Sequence, residues 1–495
     1  MLVAEDSGSD GQYPREIQES LEILREFYGR VSGTNCRKCA LPVGTELQVK
    51  TTIGKWAEGA KVKAGKPCTI SICAVACSNP KCGAYTCLGC GEKPRVGSNA
   101  SQLEGLTLDW CCDYGRLFAI WLFLARYDQV ELQIQAKQAE KMAEAQRGAK
   151  RSRETHGKGV GYAEYSMADQ HEMLRALWSQ QLTPGRMTFT GSGPLMMDFR
   201  SADEKTDDLL RQILTFLRVL LPSVSAKEGS KLDKTPPKAL KSMLQLSLLL
   251  DKLAELLRND SIDDLNKRSS LYFASFQFTE ALGSHPATLE LVAGERYSKR
   301  RSAGLQALSE RGMNHNGFGK AKESLKGEQL LVVGEQKDAL TPAIISRFQN
   351  LYKQGQIVLA QAKHTQDAFK GKSGQVTLAL CEQIVVTYVK ISSSTKNKSE
   401  ISSKTNKWTT YHGDNALEQT DEVLETFSYR HALRALESVR SPPMGRMQYL
   451  IKEIATLATS LPDGIFVKSS LSTPGALKCL MLGPDDTPYA GGLFE

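Results

Sequence analysis

The sequence predicts a mainly α-helical chain with small α+β parts towards its two ends. Three observations predict this. Apolar residues recur at helical spacing through most of the middle of the chain. Ten of the twelve cysteines fall between Cys36 and Cys112. The last fifty residues change from helical spacing to short β-prone runs separated by glycine and proline.

Length and composition set the outer bounds. A chain of 495 residues holds about two to four domains. Its 41% hydrophobic content is ample for buried cores. The net charge of +8 is spread along the chain and marks a mildly basic soluble protein. The opening MLVAEDSGSDG is acidic and polar, unlike a secretory signal. The longest apolar run, Leu117 to Ala125, is bracketed by Arg116 and Arg126. It is too short to span a bilayer and fits a core helix, so no membrane partner is expected. Without an export signal, the clustered cysteines point to metal ligation rather than disulfides, and to the cytoplasm or nucleus.

Taken in order, residues 1–30 are a polar N-terminus and a short amphipathic helix, with Ile17, Leu21, Leu24 and Tyr28 on one face. Residues 31–112 form the cysteine-rich module. Cys36 and Cys39 open it as a CxxC pair. Cys77, Cys82, Cys87 and Cys90 form its centre, and Cys111 and Cys112 close it. Zinc takes four S or N ligands in a tetrahedron, and a two-residue spacer lets one tight turn present two thiolates to one ion. No histidine lies in the block, so the sites should be sulfur-rich, holding about two structural zinc ions in closed four-coordinate sites.

The central spacing resembles the later half of the in-between-RING zinc module of RING-type ubiquitin ligases. That resemblance implies one ion on Cys36, Cys39, Cys77 and Cys82, and a second on Cys87 and Cys90 with Cys112 or Cys111. Cys68 and Cys73 could replace Cys77 or stay free. The chain departs from the pattern in its long interval from Cys39 to Cys77 and in lacking a histidine after the last CxxC.

Residues 113–158 read as one long helix that becomes Gln-, Glu-, Lys- and Ala-rich after Asp128. Its basic run at Lys150, Arg151 and Arg153 lacks interleaved aromatics, so nucleic acid is not expected as a partner. Residues 159–310 form a helical region, with helices at 207–221, 238–258, 271–282 and 287–294. Leucine all round the 240–257 stretch implies burial between neighbours. An armadillo- or HEAT-like stack and an irregular bundle both fit. Residues 311–338 read as a linker. Residues 339–440 are helical again, at 342–363, 375–390 and 421–439, around a low-complexity loop at 392–407. Cys381 falls among apolar neighbours in a core-like setting.

The last segment, residues 446–495, opens with a helix carrying Met447, Leu450, Ile451, Ile454, Leu457 and Ala458 on one face. β-prone runs follow at 465–467, 476–482 and from Leu493. The pieces Thr459 to Pro462, Gly464 to Val467, Gly483-Pro484 and Thr487 to Phe494 resemble the start of the ubiquitin-conjugating (E2, UBC core) domain. The large fungal and giant BIR-containing E2 proteins are the type in view. The resemblance implies a C-terminally truncated domain, because the family's His-Pro-Asn motif and thioester cysteine have no counterpart here. His285-Pro286 is no substitute, and Cys479 is expected to be core.

Other motifs fail. Gly371-Lys372-Ser373 imitates the end of a P-loop, but Gln366 stands where its first glycine should be. The seven histidines show no metal spacing.

On the E2 resemblance, the chain would be a ubiquitin-pathway protein whose complete relatives pass ubiquitin through a cysteine thioester. Its implied partners are the ubiquitin-activating enzyme, ubiquitin, and ligase and substrate proteins. Arg446 and Lys452, on the polar side of the last helix, are the candidate partner contacts. No catalytic residue is assigned, and whether the chain is an enzyme stays open. The competing expectation is a non-catalytic, zinc-binding helical scaffold or ligase-like adaptor for the same machinery.

Overall fold

The N-terminal amphipathic pattern folds as helix α1, Arg15–Ser32, which buries Ile17, Leu21, Leu24, Phe27, Tyr28 and Val31. In this computed structural model the chain is mostly helical with several small sheets. The structure describes residues 13–43, 68–71, 73–95, 100–103, 106–154, 202–224, 229–258, 261–310, 331–333, 340–396, 407–421, 444–483 and 486–494. It divides into two units, residues 1–132 with 206–495, and residues 133–205. The expected helix at 421–439, most of the linker at 311–338 and most of the loop at 392–407 lie outside the described residues.

The cysteine region holds five short strands: β1 Cys68–Ser71, β2 Ala74–Ala76, β3 Tyr85–Cys87, β4 Ala100–Leu103 and β5 Leu106–Asp109. β2 and β3 form an antiparallel hairpin, and the other three make a sheet ordered β1-β5-β4. Helix α2, Asp113–Glu154, follows directly. Its stretch from Leu117 to Ala125 is buried at every position, so it runs through the core as its all-round apolarity requires. Trp121 is fully buried beside Tyr28, ring centroids 5.1 Å apart, and its indole N–H donates to Ser309 Oγ.

Two buried polar residues on α2 fix the helices around it. Arg116 donates to the carbonyl of Leu220, the last residue of α3, Ala202–Leu220, and to that of Leu221 just beyond it. It also pairs with Asp233 at 3.0 Å, in the short helix α4, Lys231–Lys234. A guanidinium is suited to this, because its fork satisfies two carbonyls and a carboxylate at once. Asp128 accepts from Ser247 Oγ at 2.7 Å, Leu248 N at 2.9 Å and Leu305 N at 2.8 Å.

That carboxylate accounts for one difference from the sequence reading. The leucine-rich stretch expected as one helix over 238–258 is two, α5 Lys238–Leu246 and α6 Leu249–Leu256. Ser247 between them is extended, with φ −68° and ψ 152°. The backbone N–H freed at the break is satisfied by Asp128 rather than left orphaned.

The rest of the helical body comprises α7 Ile262–Lys267, α8 Ser269–Ser284, α9 Pro286–Ala293, α10 Leu305–Glu310, α11 Ile344–His364 and α12 Lys372–Lys396. α12 packs on both α8 and α11, Phe276 of α8 meets Phe348 of α11 edge-on with ring centroids 5.3 Å apart, and Cys381 of α12 is fully buried as expected. Lys372–Thr395 has the length and apolar content of a membrane span, and here it is packed against α8 and α11. Two strand pairs, β6 Arg296–Tyr297 with β9 Leu340–Thr341 and β7 Lys299–Ser302 with β8 Leu331–Val333, clip long-range segments together.

The C-terminal part comprises α13 Lys407–Asn415 and β10 Leu417–Gln419, neither of them expected, and then α14 Met444–Ser460, β11 Ile465–Ser469, β12 Leu477–Leu482 and β13 Leu493–Phe494, in the expected order. The sheet runs β10-β11-β12-β13, with β10 parallel to β11 and the others antiparallel. Asp421 holds its edge, one carboxylate oxygen accepting from Ser470 Oγ, Leu471 N and Ser472 N. Cys479 is half-buried on β12 rather than enclosed in a core.

Candidate metal centre

Four turns present the cysteines. After α1 the chain folds back on itself: Cys36 N donates to the Leu41 carbonyl and Ala40 N to that of Cys36. Ala40 adopts φ +58°, which a CxxC turn of this tightness imposes even on a residue with a β-carbon. The hairpin turn between β2 and β3 supplies the second pair. Cys77 N donates to Ala84 O and Cys82 N to Asn79 O, with Gly83 at φ +58°. These two turns face each other. The Sγ atoms of Cys36 and Cys82 are 3.7 Å apart, and those of Cys39 and Cys77 are 3.4 Å apart. All four lie within 4.8 Å of one another.

The third turn follows β3, where Gly91 N donates to Cys87 O and Gly91 takes φ +76°. The fourth is the passage from β5 into α2, which carries Cys111 and Cys112. Cys87, Cys90 and Cys111 place their sulfurs within 4.8 Å of one another. Cys87 and Cys112 are 3.8 Å apart, and Cys90 and Cys111 are 3.9 Å apart. Thus seven of the eight cysteines expected from the spacing fall into two sets that could each hold a metal ion, and Cys112 lies beside the second set, against Cys87.

The donor geometry fits a tetrahedral thiolate site. With a metal–sulfur bond of about 2.3 Å, the sulfurs at the corners of a tetrahedron sit about 3.8 Å apart. The electrostatics fit too. In the first set, the N–H groups of Cys39 and Lys38 draw the Cys36 thiol down to about 6. Cys77 is pushed up to about 12: the Asn79 N–H pulls it down, but burial and the Cys39 and Cys36 thiols outweigh that pull. Cys82 is raised in the same way, against the pull of the Ala84 N–H.

In the second set, hydrogen bonds from Cys112 and Cys73 hold Cys87 far below the usual thiol range. Cys112 is raised by Cys87 and by burial, and burial is the first cause that carries Cys111 to about 11. Crowded thiols thus resist a second ionisation in each set, and a cation at the centre removes that resistance.

The sequence left Cys73 open, as a replacement for Cys77 or a free thiol, and the structure places it near the Cys112 sulfur instead. Cys73 is 1% exposed, and the neighbouring Cys87 thiol, together with burial, raises its own. Its Cys73-x3-Cys77 spacing matches no two-residue ligand turn, so only the hairpin reveals it.

Tight packing joins the module to the helices. Thr34 Oγ1 donates to the Leu88 carbonyl, Arg37 N to Thr86 Oγ1, and the Arg30 guanidinium lies 3.8 Å over the Tyr114 ring. A β-carbon on Gly89 would stand 2.4 Å from Gly115 N, so the third turn and the start of α2 meet where only glycine fits.

The two residues expected to meet partners are placed differently from each other. Arg446 is exposed near the start of α14. Lys452 is 6% exposed, and its ammonium is turned inward to Asp263, 3.3 Å away on α7.

A family model described as Sad1/UNC-like C-terminal matches residues 349–454, about a fifth of the chain. No solved structure matches at a significant level. The described residues of the matched segment are helical except for the 3-10 turn at Gln366–Phe369, the strand β10 and short connections. This match overturns the resemblance to a ubiquitin-conjugating enzyme, and with it the ubiquitin-pathway function. The expected partners, ubiquitin-activating enzyme, ubiquitin, ligases and their substrates, fall with it, as does the adaptor role for that machinery. A helix followed by an antiparallel meander is local geometry that turn residues produce in many folds, and it does not carry a family. Over residues 349–454, about a fifth of its length, the chain is similar to the Sad1/UNC-like C-terminal family.

Proposed function

We propose that the module at residues 31–112 binds two zinc ions in structural sites, and that this binding folds the N-terminal region onto the helical body. Cys36, Cys39, Cys77 and Cys82 hold the first ion. Cys87, Cys90 and Cys111, joined by Cys112, hold the second. The observation that carries the reading is the pair of sulfur sets with edges of 3.4 to 3.9 Å. An all-sulfur tetrahedral set favours zinc over hard cations, which prefer oxygen. A site filled by four protein ligands has no open position for a substrate, so these ions stabilise and do not react. Thiols gathered for metal ligation rather than for disulfides support a reducing compartment, cytoplasmic or nuclear.

The helical middle reads best as an irregular bundle rather than an armadillo- or HEAT-like stack. Its helices range from four residues in α4 to 25 in α12, whereas stacked repeats keep a constant unit.

The test is metal analysis of the purified full chain. About two equivalents of zinc are expected, and a chelator should release them with loss of folded structure. A folded, soluble chain containing no zinc, and taking none up, overturns the reading.

A second reading rests on the family-model match alone. A Sad1/UNC-like, SUN-type segment at 349–454 would direct the chain to KASH-type partners. Binding of a KASH peptide to the full chain, abolished by deleting that segment, supports it, and no binding rejects it.

A further inference from the structure

The two turns that carry the first sulfur set bear a group of cations on their outer side. Arg37 and Lys38 stand between Cys36 and Cys39, and Lys81 stands beside Cys82 in the facing turn. All three are exposed. Residues 31–43 and 73–91 hold no aspartate or glutamate to set against them. Among the described residues no ion pair engages any of the three. The helical body differs, since Lys241, Lys267 and Lys390 are each paired with a carboxylate there. A divalent ion on the four thiolates would carry a net charge of about −2, which the three cations exceed.

The group is held in shape. Arg37 N donates to Thr86 Oγ1 at 3.2 Å, and Arg37 Nε donates to the Tyr85 carbonyl at 3.0 Å. The guanidinium is thereby fixed beside β3, with its two terminal nitrogens left for an outside acceptor. Lys81 N donates to Asn79 Oδ1 at 3.0 Å, a side-chain turn that orders the second loop. Tyr85 is 58% exposed, and Leu41, where the first turn ends, is 44% exposed.

We propose that this face binds single-stranded nucleic acid, with phosphates on Arg37, Lys38 and Lys81 and a base stacked on Tyr85. The inference goes beyond the zinc reading, because the turns themselves present these side chains. A guanidinium fork matches phosphate oxygens, and an exposed ring accepts the face of any base. The basic run at Lys150, Arg151 and Arg153 has cations alone. Here an exposed aromatic residue stands among the cations, the combination that single-strand binding uses. An acidic peptide would use the cations and leave the ring idle.

Fluorescence anisotropy of the full chain with labelled oligothymidylate and oligouridylate tests this. The two strands also show whether DNA or RNA is preferred. Log affinity should fall against log salt with a slope of about −2, since each of three neutralised phosphates on a single strand contributes about −0.7. Lys81→Ala should shrink that slope by about 0.7. Tyr85→Ala should weaken binding by about 5- to 100-fold at an unchanged slope, and Tyr85→Phe, which keeps the ring, should restore it. Lys38→Glu combined with Lys81→Glu, two exposed changes that leave β3 untouched, should abolish binding. Metal content and a thermal melt of each variant report separately on zinc and on folding.

A folded chain that binds neither strand at low salt overturns the proposal. Binding that is as tight to poly-glutamate or to a duplex, and that is indifferent to Tyr85→Ala, overturns it as well, in favour of a surface for any polyanion.

Discussion

Gly89→Ala should cost the protein one metal ion and leave the other in place. The added β-carbon would lie 2.7 Å from the Cys112 sulfur, 2.4 Å from Gly115 N and 2.9 Å from the Tyr114 carbonyl carbon. Ordinary contact distances are about 3.5–4.0 Å, so the sulfur must retreat by about 1 Å. A thiolate held at about 2.3 Å from zinc cannot move that far and stay a ligand. Two of the three contacts are backbone atoms, so no side-chain rotation relieves them. The packing strain alone is about 1–3 kcal/mol, before the lost ion is counted. Gly91→Ala is the control. It has open space around it but sits at φ +76°, so it should cost about 1–2 kcal/mol and keep both ions. Metal content by elemental analysis and urea unfolding of both variants decide the matter. If Gly89→Ala retains two ions and wild-type stability, the close approach of the third turn to α2 is wrong.

Asp128→Ala should destabilise the chain by about 3 kcal/mol or more, since two backbone N–H groups and the Ser247 hydroxyl lose their acceptor; a urea midpoint within error of wild type would contradict this. Asp233→Asn should cost about 3–5 kcal/mol at neutral pH by leaving the Arg116 charge buried without its partner. Burial would raise the Asp233 carboxyl, but Arg116 and the Ser223 and Ser230 N–H groups outweigh burial and hold it low. Its contribution is therefore present above the ordinary carboxylate pKa of about 3.9 and lost as pH falls through the folded value, so the gap between wild type and Asp233→Asn should close in acid. Cys87→Ser should remove metal and destabilise far more than Cys381→Ser, although both sulfurs are fully buried; equal losses in thermal melts would deny the metal role of Cys87.

Most of the helices were legible because apolar residues at a 3.6-residue period leave little choice of backbone. Ile17, Leu21 and Leu24 mark α1 in this way, and the unbroken run from Leu117 to Ala125 marks the buried part of α2. The break at Ser247 was not legible. Its cause is Asp128, 119 residues away, and no local propensity encodes a distant acceptor. Nor could the strand of Lys299, Arg300, Arg301 and Ser302 be found, since it lacks alternation and exists by pairing with residues 331–333.

The CxxC turns of the site were plain in the spacing, but the pairing across the long interval from Cys39 to Cys77 depends on the β2–β3 hairpin. The C-terminal resemblance misled for a related reason. Its Pro and Gly residues correctly place a helix and two strands, yet those residues specify turns, which unrelated families share.

The placement of the sulfur sets argues that metal binding is not a local matter. Cys36, Cys73, Val75, Cys87 and Leu88 belong to the same continuous apolar core as Tyr28, Trp121 and the leucines of α5 and α6. α1, which leads into the first cysteine turn, packs directly on α5 and α10. The Cys112 turn is continuous with α2, whose Arg116 and Asp128 fix the helices on either side. A module with its own core would melt alone when stripped of metal. One that shares its core with the helices should take them with it. Chelation should therefore lower the main thermal transition of the whole chain, followed by helical circular dichroism, rather than add a small early step. A melt in which the helical signal keeps its midpoint after both ions are gone would show that the metal module and the helical body are independent, and that the packing of Tyr28 on Trp121 does not couple them.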